Sequence, residues 1–193
     1  RTPDLPRIAV GPGRNKAGPR LDGGSIAYSR RGESIARNKN GNPLGINVAV
    51  DKKFGVDYAD LIVNGSKKYE SRESTSLNPY IGKRVGIVRT GAGPAEVIGS
   101  VEVGEPIQVD ETEFNNLRND HLVPKGSSFD IKSGQTKYLY PMIEPASSEP
   151  QIVTASGIVS RAIPEQAISY SRRGDGIVST RFPTAARRDF NPA

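Results

Sequence analysis

The sequence contains no cysteine and no tryptophan, and only one histidine and one methionine, in 193 residues. Lack of cysteine excludes a disulfide framework, a thiol nucleophile and Cys-ligated zinc, and a lone histidine excludes a multi-histidine metal site. An oxygen-only metal site stays open on composition, but no metal and no cofactor is expected. No apolar run approaches the ~18 residues of a membrane span, and no charged-then-apolar leader is present. The chain therefore reads as soluble and intracellular, with no membrane partner.

Present in excess are glycine and proline, 21 and 15 residues, together well above the roughly 12% of average usage. Positive charge is also in excess, with 27 Lys plus Arg against 21 Asp plus Glu. Its distribution is uneven: residues 1–44 carry +6, residues 45–145 carry −2 and residues 146–193 carry +2. Basic flanks around a slightly acidic middle imply that any phosphate affinity of the arms is separate from that of the central module.

Residues 1–44 hold Gly-Pro pairs at Gly11-Pro12 and Gly18-Pro19 and lack sustained apolar periodicity. They are expected to form a basic flexible arm. Pro145 to Pro150 is expected to be a linker, opening a C-terminal arm over residues 146–193. The eleven-residue segments Ser25–Ile35 and Ala167–Ile177 share seven identities, including Tyr-Ser-Arg-Arg-Gly. Their separation is too long for a solenoid period, so the repeat brackets the middle as flanking punctuation, a processing site or an anchoring peptide.

Residues 45–145 read as an α+β module. Asn47–Val50 is a short strand, and Val56–Asn64 is a helix closed by the cap pair Asn64-Gly65. Arg84–Arg89 and Glu96–Val103 form an antiparallel hairpin across the Thr90–Pro94 loop. Asp110 and Glu113 have capping-box spacing and open a helix that ends near Asp120-His121. Tyr138–Ile143 is a last strand whose Pro141 predicts an edge or a bulge.

The candidate chemistry lies in Gly65-Ser-Lys67-Lys-Tyr-Glu70-Ser-Arg72, at the junction of helix and strand. Glycine at a helix end permits the positive φ that reverses the chain. Glu70 and Arg72, two apart on a strand, project to one face, and Lys67 can reach the same cleft. A carboxylate between two cations suits a polar ligand bearing phosphate or an amide. The alternative is an exposed Glu-Arg pair with a solvated lysine, worth at most ~1 kcal/mol. Tyr69, Tyr80, Tyr138 and Tyr140 either offer a base-stacking surface or pack in the core.

This Gly-x-Lys-x-x-Glu-x-Arg pattern resembles the signature of the ASCH domain, a PUA-like β-barrel family. The resemblance covers residues 45–145, including the Arg84–Val88 and Val97–Val103 strands, the Glu111–His121 helix and the Tyr138–Ile143 strand. It implies a small PUA-like β-barrel with two short helices, flanked by largely irregular arms. It also implies a module that binds RNA or a modified nucleoside through Gly65, Lys67, Glu70, Arg72 and His121.

Some members of that family hydrolyse N4-acetylcytidine-type nucleosides or RNA. In the amidohydrolase branch the motif lysine acts with a threonine three residues later and an acid in the later helix region. Lys67 matches the lysine, Glu70 stands in the threonine position, and the acid falls near Asp120. A carboxylate cannot serve as that hydroxyl nucleophile, so Glu70 would activate water while Lys67 and Arg72 stabilise an oxyanion. A protein-interaction module is the reading from a third class. The repeated segments and Arg181–Ala185 resemble stretches of large phage and mobile-element proteins. With Arg1 in place of an initiating Met, that implies other domains of a larger parent protein as partners, and a cytoplasmic location in a bacterial host cell, reached by phage delivery or made there.

Overall fold

The computed structural model describes residues 34–168. Apart from Ser34–Ile35 and Ala167–Ile168, the repeated segments lie outside the described residues, as do most of the two expected arms.

Nine strands form one mixed sheet: β1 (Ser34–Ile35), β2 (Leu44–Asp51), β3 (Val56–Asp57), β4 (Tyr69–Arg72), β5 (Lys83–Thr90), β6 (Glu96–Val103), β7 (Ile107–Val109), β8 (Lys137–Ile152) and β9 (Ser160–Ala162). The main path runs β3-β2-β5-β6-β8-β4, with β1 on β5, β7 on β8 and β9 on β2. The β1–β5 and β2–β5 pairs are parallel and the others antiparallel. The expected hairpin is present as β5–β6, with a register shift at Ile87/Val88.

Among the described residues three short α-helices cover the sheet where two were expected: α1 (Tyr58–Val63), α2 (Glu111–Asn116) and α3 (Arg118–His121). α1 begins later than its apolar pattern implied, because Val56 and Asp57 pair with β2 and Asp57 then accepts from the Asp60 amide as N-cap. The expected single second helix is split at Leu117, which ends α2 and leads into α3. Its start follows the sequence closely: the Asp110 carboxylate accepts from the Glu113 amide, and the Glu113 carboxylate accepts from the Asp110 amide.

Two features depart from expectation. Residues 145–150, read as a linker, lie inside β8, because β6 supplies backbone partners as far as Ile152. Beyond them Val153, Ile163, Ala167 and Ile168 pack with Val88 and Val97 in a second core on the sheet. The larger core gathers Ile46, Ile62, Val85, Ile87 and Leu139 with Phe114. Second, the path is not a closed barrel: β4 does not pair with β2. The Arg72 side chain spans the opening, its Nη2 donating to the Asn47 carbonyl of β2 at 2.7 Å.

Pro141 is accommodated without an edge strand. Its carbonyl accepts from Gly104, so its missing N–H faces the same side. That is where β7, paired through Leu139, hands over to β6, paired from Met142.

Candidate functional site

A cleft of about 690 Å³ opens between β2 and β4, where the sheet fails to close. Its β2 wall includes Asn47 and its β4 wall Glu70 and Arg72, while Tyr58, Lys67 and Lys137 contribute from below. Gly65 positions the motif from outside the cleft. Its φ of +82° follows the C-cap Asn64 and turns the chain out of α1, after which Lys67 N bonds back to the Leu61 carbonyl and β4 begins at Tyr69.

Glu70 is buried between two cations. Its Oε1 lies 3.1 Å from Arg72 Nη2 and its Oε2 3.7 Å from Lys67 Nζ. The solvated-pair alternative is therefore not what the fold builds: the Lys67 side chain is 1% exposed and that of Glu70 10%. Lys67 Nζ also donates to the His121 carbonyl at 2.5 Å and lies 5.0 Å from the centre of the Tyr58 ring. Burial lowers the pKa of Lys67 to about 8, with Glu70 opposing the shift. Arg72 Nε is buried and has no hydrogen-bond partner among the described residues.

Sequence reasoning missed a second buried lysine. Lys137, at the start of β8, donates to the Phe129 carbonyl at 2.6 Å and has Glu73 Oε1 3.9 Å away. Burial holds its pKa below the usual lysine value. No local motif marks it, because it is brought to Lys67 only by the β4–β8 pairing. Arg161 reaches the cleft from β9, a segment expected to be an arm. Four cations, Lys67, Arg72, Lys137 and Arg161, thus line the cleft against two carboxylates, Glu70 and Glu73. The cleft is locally positive although residues 45–145 carry −2.

Two sequence-selected residues take other places. Asp120 Oδ1 pairs with Lys68 Nζ at 2.6 Å and does not line the cleft. His121 is fully buried and stacked on Phe114 with ring centres 3.9 Å apart. Its Nδ1 accepts from the Val123 amide at 3.0 Å, so Nε2 carries the proton donated to the Phe114 carbonyl at 2.8 Å. Its imidazole is thereby committed to fixing α3, and only its carbonyl serves Lys67. Of the four tyrosines considered for stacking, Tyr140 is buried with its hydroxyl donating to Asn78, and Tyr69, Tyr80 and Tyr138 pack against the core. Tyr58 is the tyrosine that lines the cleft.

Burial lowers the His121 pKa to about 4. Between that value and the usual ~6.5 the unfolded chain binds the extra proton, so stability falls as pH drops through this window. The imidazole C2–H resonance is expected to stay constant from about pH 8 to 5.5 and to move only near pH 4; a midpoint near 6.5 would place the ring in solvent.

Among the described residues no cluster of His, Cys, Asp and Glu is arranged to hold a metal ion, and no helix is long and apolar enough to cross a membrane. No protein-family model and no curated protein matches the chain. Solved structures do match. The crystal structure of ASCH from Zymomonas mobilis aligns with a TM-score of 0.50 at 15% identity, over 64% of this chain and 89% of that one. A tyrosine-to-phenylalanine variant of the same protein gives 0.50 and 15%, over 64% and 91%.

Proposed function

Taking as premise that the chain has the fold of an ASCH domain, we propose that the cleft between β2 and β4 binds single-stranded RNA or a modified nucleotide derived from it. The observation that carries this reading is the convergence of Lys67, Arg72 and Lys137 around one buried carboxylate, Glu70. Buried ammonium groups beside a half-buried guanidinium, with donors to spare, favour an anionic oxygen ligand. Glu70 lies within ion-pair distance of both neighbours and opposes the burial-driven fall in the Lys67 pKa, leaving the cations of the cleft to meet an anionic ligand.

Each cation has a distinct task. Arg72 is planar and braced on Asn47, so it fixes the orientation of a phosphate or carbonyl edge. Lys67 and Lys137 are point charges held by carbonyl oxygens at the floor. A hydrolytic reading of the same site rests on one feature, the lowered pKa of Lys67 beside Glu70. In it Glu70 takes a proton from water while Lys67 and Arg72 stabilise the oxyanion. Its test is acetate release from N4-acetylcytidine, or RNA cleavage, by the unmodified chain and its loss in Lys67→Met.

Binding of a labelled single-stranded RNA by fluorescence anisotropy tests the main reading. About 0.3 M salt would screen contacts made by basic residues outside the cleft. Arg72→Gln and Lys137→Met are each expected to weaken binding about tenfold. Affinities equal to the unmodified chain would remove the cleft as the RNA site.

A further inference from the structure

The outer lip of the cleft is the turn that connects β8 to β9, and it is built around Asn47. The Asn47 side-chain amide donates to the carbonyls of Gly157 at 2.8 Å and Ile158 at 2.9 Å. Its backbone N–H donates to Val159 at 2.9 Å, and its Oδ1 accepts from Arg161 Nε at 2.7 Å. The turn is tight enough that a Cβ on Gly157 would stand 1.8 Å from the Ser160 carbonyl oxygen, so only glycine closes it.

This fixed turn holds Ile158 at the mouth of the cleft with 96% of its surface exposed. Isolated exposed apolar side chains are ordinary on protein surfaces. Here the backbone on both sides of the isoleucine is pinned, and the residue sits at the rim of a cleft whose floor is cationic. An apolar platform beside a cation cluster has the two-part chemistry of a nucleotide: a ring with an apolar face, and a phosphate.

We propose that Ile158 is a specificity-determining contact of the cleft, packing against the face of a nucleobase whose phosphate is held by Lys67, Arg72 and Lys137. The inference rests on the nucleic-acid reading of the site and adds a base-recognising surface to it. Asn47 and Arg161 are positioning residues that hold the platform.

The test is isothermal titration of the full chain with the four ribonucleoside 5′-monophosphates and with ribose 5-phosphate, which lacks the base. At least one nucleotide is expected to bind about fivefold to tenfold more tightly than ribose 5-phosphate. Ile158→Ser should erase that advantage and leave both ribose 5-phosphate affinity and Tm unchanged, whereas Ile158→Tyr should retain it. Nucleotide binding by Ile158→Ser equal to that of the unmodified chain overturns the inference. So does a lowered Tm, which would mean that Ile158 packs within the protein. Equal binding of nucleotides and ribose 5-phosphate by the unmodified chain overturns the base contact but leaves the phosphate site standing. Failure of every probe to bind overturns the nucleic-acid reading and this inference with it.

Discussion

Glu70→Ala is expected to lower the unfolding free energy by about 3 to 5 kcal/mol, the cost of removing one partner from a buried ion network. The carboxylate sits between Lys67 and Arg72, and the Lys67 side chain is 1% exposed. Without Glu70, desolvation of the Lys67 ammonium is opposed by its carbonyl contact to His121 but by no adjacent anion. The lysine then deprotonates on folding, and its pKa falls further below the value of about 8 that it has beside Glu70. Glu70→Gln keeps an acceptor for Arg72 while losing the charge, and should fall between the two.

Urea unfolding followed by far-ultraviolet circular dichroism measures the effect, since the chain has no tryptophan. The deficit of Glu70→Ala should shrink above about pH 9, where Lys67 is neutral in both proteins. High salt should change it little, because buried pairs are weakly screened. A loss under ~1 kcal/mol would instead be the signature of a solvent-exposed pair, and would contradict the burial of Lys67 and Glu70.

Lys67→Met is expected to do the opposite: to weaken RNA binding by about two orders of magnitude while leaving stability at pH 7 equal or higher. The pKa of Lys67 is about 8 in the folded chain against the ordinary 10.5. Between these values the unfolded chain binds more protons, so the unmodified protein should become more stable as pH rises through this window. The gain is on the order of 3 kcal/mol for a shift of this size. Methionine fills similar volume without the ammonium, so most of the rise should vanish in the variant, leaving the smaller part of the same sign that Lys137 supplies. A variant with unchanged affinity would remove Lys67 from the site. A variant with the full pH-dependent rise would remove it as the group that titrates.

These opposite effects from neighbouring residues follow from one arrangement. Glu70 compensates the buried Lys67 and the half-buried Arg72, so its loss is expected to cost stability. Lys67 is the buried cation whose desolvation the fold tolerates, so its loss is expected to cost binding and not stability.

Much of the local structure was legible in the sequence because local chemistry sets it. The capping box at Asp110 and Glu113, the reversal at Gly65, and the β5–β6 alternation each involve residues close in sequence whose hydrogen bonds or dihedrals leave little choice. The motif Lys67, Glu70 and Arg72 was legible for the same reason, since a two-residue offset on a strand places its side chains together. The resemblance puts an acid near Asp120 with His121 beside it, but the orientation of the helix decides whether such a side chain meets a cleft. Here that orientation turns the His121 ring toward Phe114 and Asp120 toward Lys68.

Composition misled at the C-terminal boundary. Pro145 and Pro150 argue for a linker, yet a proline breaks only the ladder bond on its own N–H side, and β8 continues through both. With β8 extended, the chain returns as β9, which brings Arg161 and Ile158 to the cleft.

By itself the sequence determined the helix caps, the main hairpin, the triad of the motif, and the exclusion of thiol and multi-histidine chemistry, all of which depend on residue identity and short spacing. Tertiary structure alone decided that β2 and β4 remain unpaired, that Lys137 joins Lys67 beneath Glu70, and that the turn beyond β8 forms the lip. Those outcomes depend on pairings between strands tens of residues apart, and the choice among such pairings is made by the burial of both sheet faces rather than by any local pattern.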